Sequence, residues 1–265
     1  MSFDLDRGKI SVRLSEGVYY QLIADIEDFD FTKPDGSNNA NAFLNQLLPN
    51  LILYRISKRE KLRKYLEDNI INCIKDNFKD KILSFMDDLF DHSYFDDNNE
   101  HYHKQTLHFR LNKQNIITTQ PFFDELELHN QNKTTYLRNL FNEYANMRKD
   151  KRECICFDNE LTNLINASNN NYSITCTFEN KNYSLIPYKI DLNYVDGSLY
   201  LLALENDKQN ICHTFRLCHL RNIFVNETQE YEINEKTIDK LEYLTYEYDY
   251  TNKTTINLSK LKIQN

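Results

Sequence analysis

The sequence predicts an α+β chain. A helical N-terminal half carries two degenerate strand–helix–helix copies, and a small β-barrel with a short C-terminal extension follows. Three observations carry this reading. Two well-separated stretches, KISVRLS and TLHFRLN, alternate apolar and polar side chains with the period of a half-buried strand, and each precedes a helical pattern. In the second half, short apolar runs are separated by ENKN, VDGS and ENDKQN, which are hairpin-turn compositions. With only 4 Gly and 4 Pro, the chain favours long elements joined by Asn/Asp loops over glycine-rich catalytic loops.

In the first half, Ile10, Val12 and Leu14 alternate with Lys9, Ser11 and Arg13. Ser15 is placed to cap a helix bearing Val18, Leu22, Ile23 and Ile26. The breaker-rich TKPDGSNN leads into a long helical segment, expected to kink or break at Pro49. The second copy starts with Leu107, Phe109 and Leu111 alternating with His108 and Arg110, continues through a mixed stretch, and reaches NKTTYLRNLFNEYA. Set beside NANAFLNQLLPNLI, that segment matches position by position: Phe43-Leu44 with Tyr136-Leu137, Leu47-Leu48 with Leu140-Phe141, Ile52 with Ala145. This is a degenerate internal repeat.

The strand–helix–helix order resembles the ribbon-helix-helix fold. In that family two strands pair antiparallel and the ribbon enters the major groove. The resemblance implies a nucleic-acid-reading face formed by Lys9, Ser11 and Arg13 with Thr106, His108 and Arg110, and a pseudo-dimer within one chain. Arginine suits bidentate contact with guanine. The helix start near Ser37-Asn38-Asn39 would offer backbone N–H groups to a phosphate. The acidic DDLFDHSYFDDNNE weighs against DNA binding by the second copy. Between the copies, apolar residues from Ile70 to Leu89 keep helical periodicity, and the polar loop after them holds His101, His103, Asp96 and Asp97, read as a solvated cluster.

Beyond the charged connector MRKDKREC, CICF reads as a short strand and DNELTNLINASNNN as a helix capped by Asp158, before the successive strands. Pro187, Gly197, Leu199-Tyr200-Leu201, Phe215-Arg216-Leu217 and Arg221-Asn222-Ile223 together resemble the WYL domain, a small Sm/SH3-like barrel of bacterial regulators, over Glu153 to Val225. Leu199 stands where that family has Trp, and the chain has no Trp. The resemblance implies a nucleic-acid or nucleotide ligand met by Tyr183, Tyr188, Tyr200, His213, Arg216 and Arg221. A guanidinium fork fits phosphate, and tyrosines stack bases. The tail suggests a helix over Glu235 to Leu244 and then a Thr/Tyr-rich strand, an extension that family members use for dimerisation.

The expected organisation is 1–72 as the first ribbon unit, 73–103 as a helical linker, 104–150 as the second unit, 151–225 as the WYL domain and 226–265 as the extension. ICHTFRLCHL raises a zinc site, but as one strand it places Cys212 and Cys218 on one face and His213 and His219 on the other. No metal or other cofactor is expected. The chain lacks a nucleophile elbow, a phosphate loop, HExxH and a paired Cys-x-x-Cys, which argues against an enzyme.

Bulk composition agrees with a regulator. The formal charge of -8 excludes a wholly basic coat protein yet leaves a local run, RISKREKLRK. MSFDLDRGKI lacks a signal-peptide pattern and no apolar run approaches the ~18 residues of a membrane span, so a cytoplasmic protein with free thiols is expected. The first functional expectation is a homodimeric transcriptional regulator that binds duplex DNA. The second rests on a further resemblance, to accessory factors of type VI CRISPR effectors, which bind single-stranded RNA and modulate the effector nuclease.

Overall fold

The computed structural model describes residues 3–4, 8–69, 76–91, 105–247 and 254–261. It divides into two compact units, Met1–Met147 and Arg148–Asn265.

The first unit contains β1 (Phe3–Asp4), β2 (Lys9–Leu14), α1 (Glu16–Asp28), α2 (Ala40–Asn69), α3 (Asp76–Asp91), β3 (Gln105–Arg110), α4 (Lys113–Leu128) and α5 (Lys133–Ala145). Strands β2 and β3 pair antiparallel, with Lys9 opposite Arg110, Ser11 opposite His108 and Arg13 opposite Thr106; β1 adds a short third strand beside β2. Ile10, Val12, Leu14, Leu107 and Phe109 are buried, so one face of the ribbon lies on the helices and the alternate side chains turn away from them.

The repeat extends to the details of capping. Ser15 and Asn112, equivalent in VRLS and FRLN, cap α1 and α4 with their side-chain oxygens. Both helices end on a left-handed residue, Asp30 (φ 59°) and Asn130 (φ 54°). The following N–H groups, of Phe31 and Gln131, reach back to the carbonyls of Ile26 and Leu126. In the second helices Phe43, Leu44, Leu47, Leu48 and Leu51 are buried at the positions matched by Tyr136, Leu137, Leu140, Phe141 and Tyr144. The stretch read as mixed, 113–128, is the helix α4.

Of the kink or break expected at Pro49, the break does not occur: the long helix α2 is continuous across it. Proline removes the N–H that would bond the Asn45 carbonyl. Asn115 Nδ2 donates to that carbonyl at 2.5 Å, so the orphaned acceptor is satisfied from α4.

The second unit contains α6 (Lys149–Cys156), α7 (Asp158–Asn169), β4 (Tyr172–Phe178), β5 (Lys181–Leu192), β6 (Leu199–Glu205), β7 (Lys208–Arg216), β8 (Arg221–Glu230), α8 (Glu235–Glu247) and β9 (Thr255–Asn257). Three expectations are corrected. CICF belongs to the end of α6 and the junction before α7, not to a strand: four apolar residues are too few to tell the two periods apart. Asp158 is the first residue of α7 rather than its cap, which is Phe157 without a side-chain bond. Among the described residues, six strands run in the order β8-β4-β5-β6-β7-β9 and do not close into a barrel. The free side of β7 is taken by β9, with Cys212 opposite Ile256, so β7 does not meet β8.

The extension completes this unit's own core. Leu241 and Leu244 of α8, with Ile256 and Leu258, pack with Ile186, Tyr200, Leu202, Leu204 and Cys212. The turn expected at VDGS is present between β5 and β6, where Gly197 takes a left-handed φ of 69° and its N–H donates to the Asn193 carbonyl at 2.8 Å. The His101, His103, Asp96 and Asp97 cluster lies outside the described residues. Among the described residues, no helix is long and apolar enough to cross a membrane.

Candidate nucleic-acid interface

The face that β2 and β3 turn away from the helices carries Lys9, Ser11, Arg13, Thr106, His108 and Arg110. All are exposed except Ser11, which is half-buried. Ser11 Oγ lies 2.8 Å from His108 Nδ1. The six sequence-chosen ribbon residues are therefore brought together on one surface.

Their backbone is held from beneath by the second helices. Asn41 Oδ1 accepts the Arg110 N–H at 3.0 Å, Asn45 Nδ2 donates to the Arg110 carbonyl at 2.8 Å, and Asn45 Oδ1 accepts the Asn112 N–H at 2.7 Å. At the position of α5 equivalent to Asn45, Arg138 Nε donates to the Arg13 carbonyl at 3.2 Å. Each arginine-bearing strand end is thus anchored by the second helix of the other copy. At the start of α2, Asn39 Oδ1 already accepts the Ala42 N–H at 3.1 Å, occupying one of the groups considered for a phosphate.

In the second unit the six residues expected around a ligand fall into separate settings. Tyr183 and His213 share a ring cluster with Phe215: His213 stacks on Phe215 at 5.1 Å, and Tyr183 meets His213 edge-on at 5.3 Å. His213 is 5% exposed, with Nδ1 3.2 Å from Thr255 Oγ1 and Nε2 3.6 Å from Glu205 Oε2. Burial lowers its pKa, the Glu205 carboxylate opposing, which favours the neutral ring. Tyr188 donates its hydroxyl to Glu242 and so ties α8 to β5. Arg221 NH1 donates to the carbonyls of Cys218 and, at 3.0 Å, Leu220.

Tyr200 and Arg216 pair across β6 and β7. Tyr200 is buried and donates to Asp196 Oδ2 at 2.9 Å, and burial pushes its phenol pKa up. Beside them sits a group that the sequence reading passed over as part of a charged connector. Glu153 of α6 is fully buried, and its Oε2 accepts the Leu199 N–H at 2.8 Å. Burial pushes its pKa up to about 7, against the opposing pull of that N–H and of the Arg216 cation. A lone Glu next to the apolar CICF was the available signal.

The strand expected to run through ICHTFRLCHL ends at Arg216, and Leu217–His219 form a 3-10 turn. Cys218 and His219 therefore leave the strand alternation. Among the described residues no three His, Cys, Asp or Glu side chains are grouped to hold a metal ion.

No family model matches the chain, and no curated protein matches it. Its fold is similar to that of a solved structure described as the crystal structure of a CRISPR Cas-related protein. The TM-score is 0.65 at 18% identity, covering 92% of this chain and 73% of the other.

Proposed function

We propose that the chain is a non-enzymatic, nucleic-acid-binding regulatory protein. Its first unit acts as a single-chain ribbon-helix-helix pseudo-dimer, and its second as a WYL-like module sensing a nucleic-acid or nucleotide ligand. The observation that carries the reading is the antiparallel β2–β3 pair, which displays Lys9, Arg13, Arg110 and His108 with hydroxyl groups between them. A two-stranded ribbon fits the major groove, arginine forks read guanine, and Ser or Thr serves either base type. Because both strands come from one chain, the ribbon needs no second copy. The homodimer expected from the extension is checked by light scattering on the full chain.

A second reading is an accessory factor that binds single-stranded RNA and modulates a CRISPR effector nuclease. The fold likeness to a CRISPR Cas-related protein favours it. Titrating labelled duplex DNA and single-stranded RNA separates the two. Duplex binding lost in Arg13→Ala supports the first and contradicts the second. RNA binding lost in Arg216→Ala, with duplex binding untouched, does the reverse.

A further inference from the structure

The repeat is broken at one place. By the match of the second helices, α5 ends at Ala145, opposite Ile52, whereas α2 continues to Asn69. The additional segment, 53–69, carries six cations against three anions in a chain of net charge -8. Its apolar side chains Leu53, Leu62 and Tyr65 are exposed and lie outside the shared core.

Along it Arg55, Arg59 and Arg63 recur every fourth residue, about 6 Å apart along the axis. All three line a cleft of about 540 Å³ whose opposite wall includes Phe122 of α4 and Tyr136 of α5. That volume is in the range of small-ligand sites. The cleft is built rather than incidental. Phe122 and Tyr136 meet edge to face at 5.0 Å, and the Arg55 guanidinium lies over the Tyr136 ring at 4.8 Å. Arg55 is 5% exposed and is oriented by Glu143 at 3.5 Å, which also holds Lys58 at 2.7 Å. Arg59 is half-buried and Arg63 exposed, at the mouth.

We propose that this cleft binds a nucleoside phosphate unit, its base against the half-buried Phe122 ring beside the Arg55–Tyr136 pair and its phosphate on Arg59 and Arg63. Aromatic faces accept any base, and guanidinium forks accept phosphate oxygens in pairs. Glu60 and Glu125 also line the cleft, Glu143 pairs with Arg55, and Glu67 lies 3.4 Å from Arg63 Nε, so the arginines are largely balanced by carboxylates. That balance opposes a dense double-helical polyanion and leaves a single phosphate to compete for the exposed guanidinium edges at the mouth. The unit comes either as a free nucleotide or as one residue of a single strand. The site is separate from the ribbon face and does not depend on its reading.

The test uses the full chain. A short oligouridylate containing 5-iodouridine and a fluorescent label is titrated, with uridine monophosphate as competitor. Arg59→Glu with Arg63→Glu is expected to weaken oligomer binding at least about tenfold without changing the thermal midpoint, and Phe122→Leu to weaken it less. Photo-crosslinks are expected in the peptide carrying Phe122 or Tyr136. Competition by the monophosphate identifies a free-nucleotide site, and its absence identifies a strand site. Arg13→Ala with Arg110→Ala leaves this binding unchanged, which separates the cleft from the ribbon. Affinity unchanged in the double glutamate variant, crosslinks confined to other peptides, or failure of both probes to bind the unaltered protein overturns the proposal.

Discussion

Ser11 and His108 face each other across the β2–β3 ladder with Oγ and Nδ1 2.8 Å apart, and they occupy equivalent positions in the two copies of the repeat. A pseudo-twofold axis therefore passes between them. It places Arg13 and Arg110, themselves equivalent, on either side, each opposite the first polar residue of the other copy, Thr106 or Lys9. At this centre the pseudo-dimer is asymmetric in chemistry, since Ser meets His.

That centre gives the first prediction. Ser11→Asp sets a carboxylate among Lys9, Arg13 and Arg110 without altering a buried contact. Stability is expected to change by less than about 0.5 kcal/mol, while nucleic-acid affinity falls and falls most at low salt. Anisotropy titrations beside urea unfolding check both. Unchanged binding would remove the ribbon face from the interface.

Asn45 is the second. Its side chain meets the Arg110 carbonyl, the Asn112 N–H and the Asn41 carbonyl, and its own carbonyl depends on Asn115 because of Pro49. Asn45→Ala leaves two strand-end groups unpaired and is expected to cost about 1–3 kcal/mol. Arg138→Ala, which loses one bond, costs less. Denaturant midpoints of the two variants should rank in that order.

The third concerns pH. Burial raises Glu153 from 4.5 to about 7 in the folded protein. The folded state then holds the proton more tightly than the unfolded one. Its stabilisation is complete below pH 4.5 and is lost as pH rises to 7, by roughly 3 kcal/mol. His213 acts oppositely: its lowered pKa makes stability fall as pH drops below 6.5. Glu153→Gln should flatten the loss on the alkaline side, and His213→Gln the loss on the acid side. Thermal midpoints from pH 4.5 to 8 that run parallel in all three proteins would contradict this assignment.

Thiol reactivity is the fourth. Burial pushes Cys176 up to about 11 and Cys212 up to about 12, and it raises Cys218 as well. Because the thiolate is the reactive form, iodoacetamide at pH 8 should leave these three unmodified in the native protein and label them once it is unfolded. Peptide mapping that finds Cys212 labelled in the native state would place that strand outside the core.

Much of the first unit was legible because its signals are local. Alternation marks Ile10 to Leu14 and Leu107 to Phe109, and Ser15 marks a cap. α4 was obscured because Pro121 and a run of β-branched residues, Ile116 to Thr119, blur its period. In the second unit the strand breaks were readable from turn chemistry, but closure was not. Whether a sheet closes depends on which strand reaches the β7 edge, a contact between residues more than forty positions apart, such as Cys212 and Ile256. Glu153 was missed for a similar reason. Its burial is created by α6 lying against the Leu199 backbone, and the residues before it in sequence, Lys149 to Arg152, are all charged.

The most direct test of the account is the salt dependence of duplex DNA binding by the unaltered chain and by Arg13→Ala with Arg110→Ala. Removal of the two equivalent arginines is expected to cost about 1–3 kcal/mol each and to make the slope of log K against log salt shallower, by about one per lost phosphate contact. Equal affinities and equal slopes in the two proteins would contradict a ribbon-borne interface.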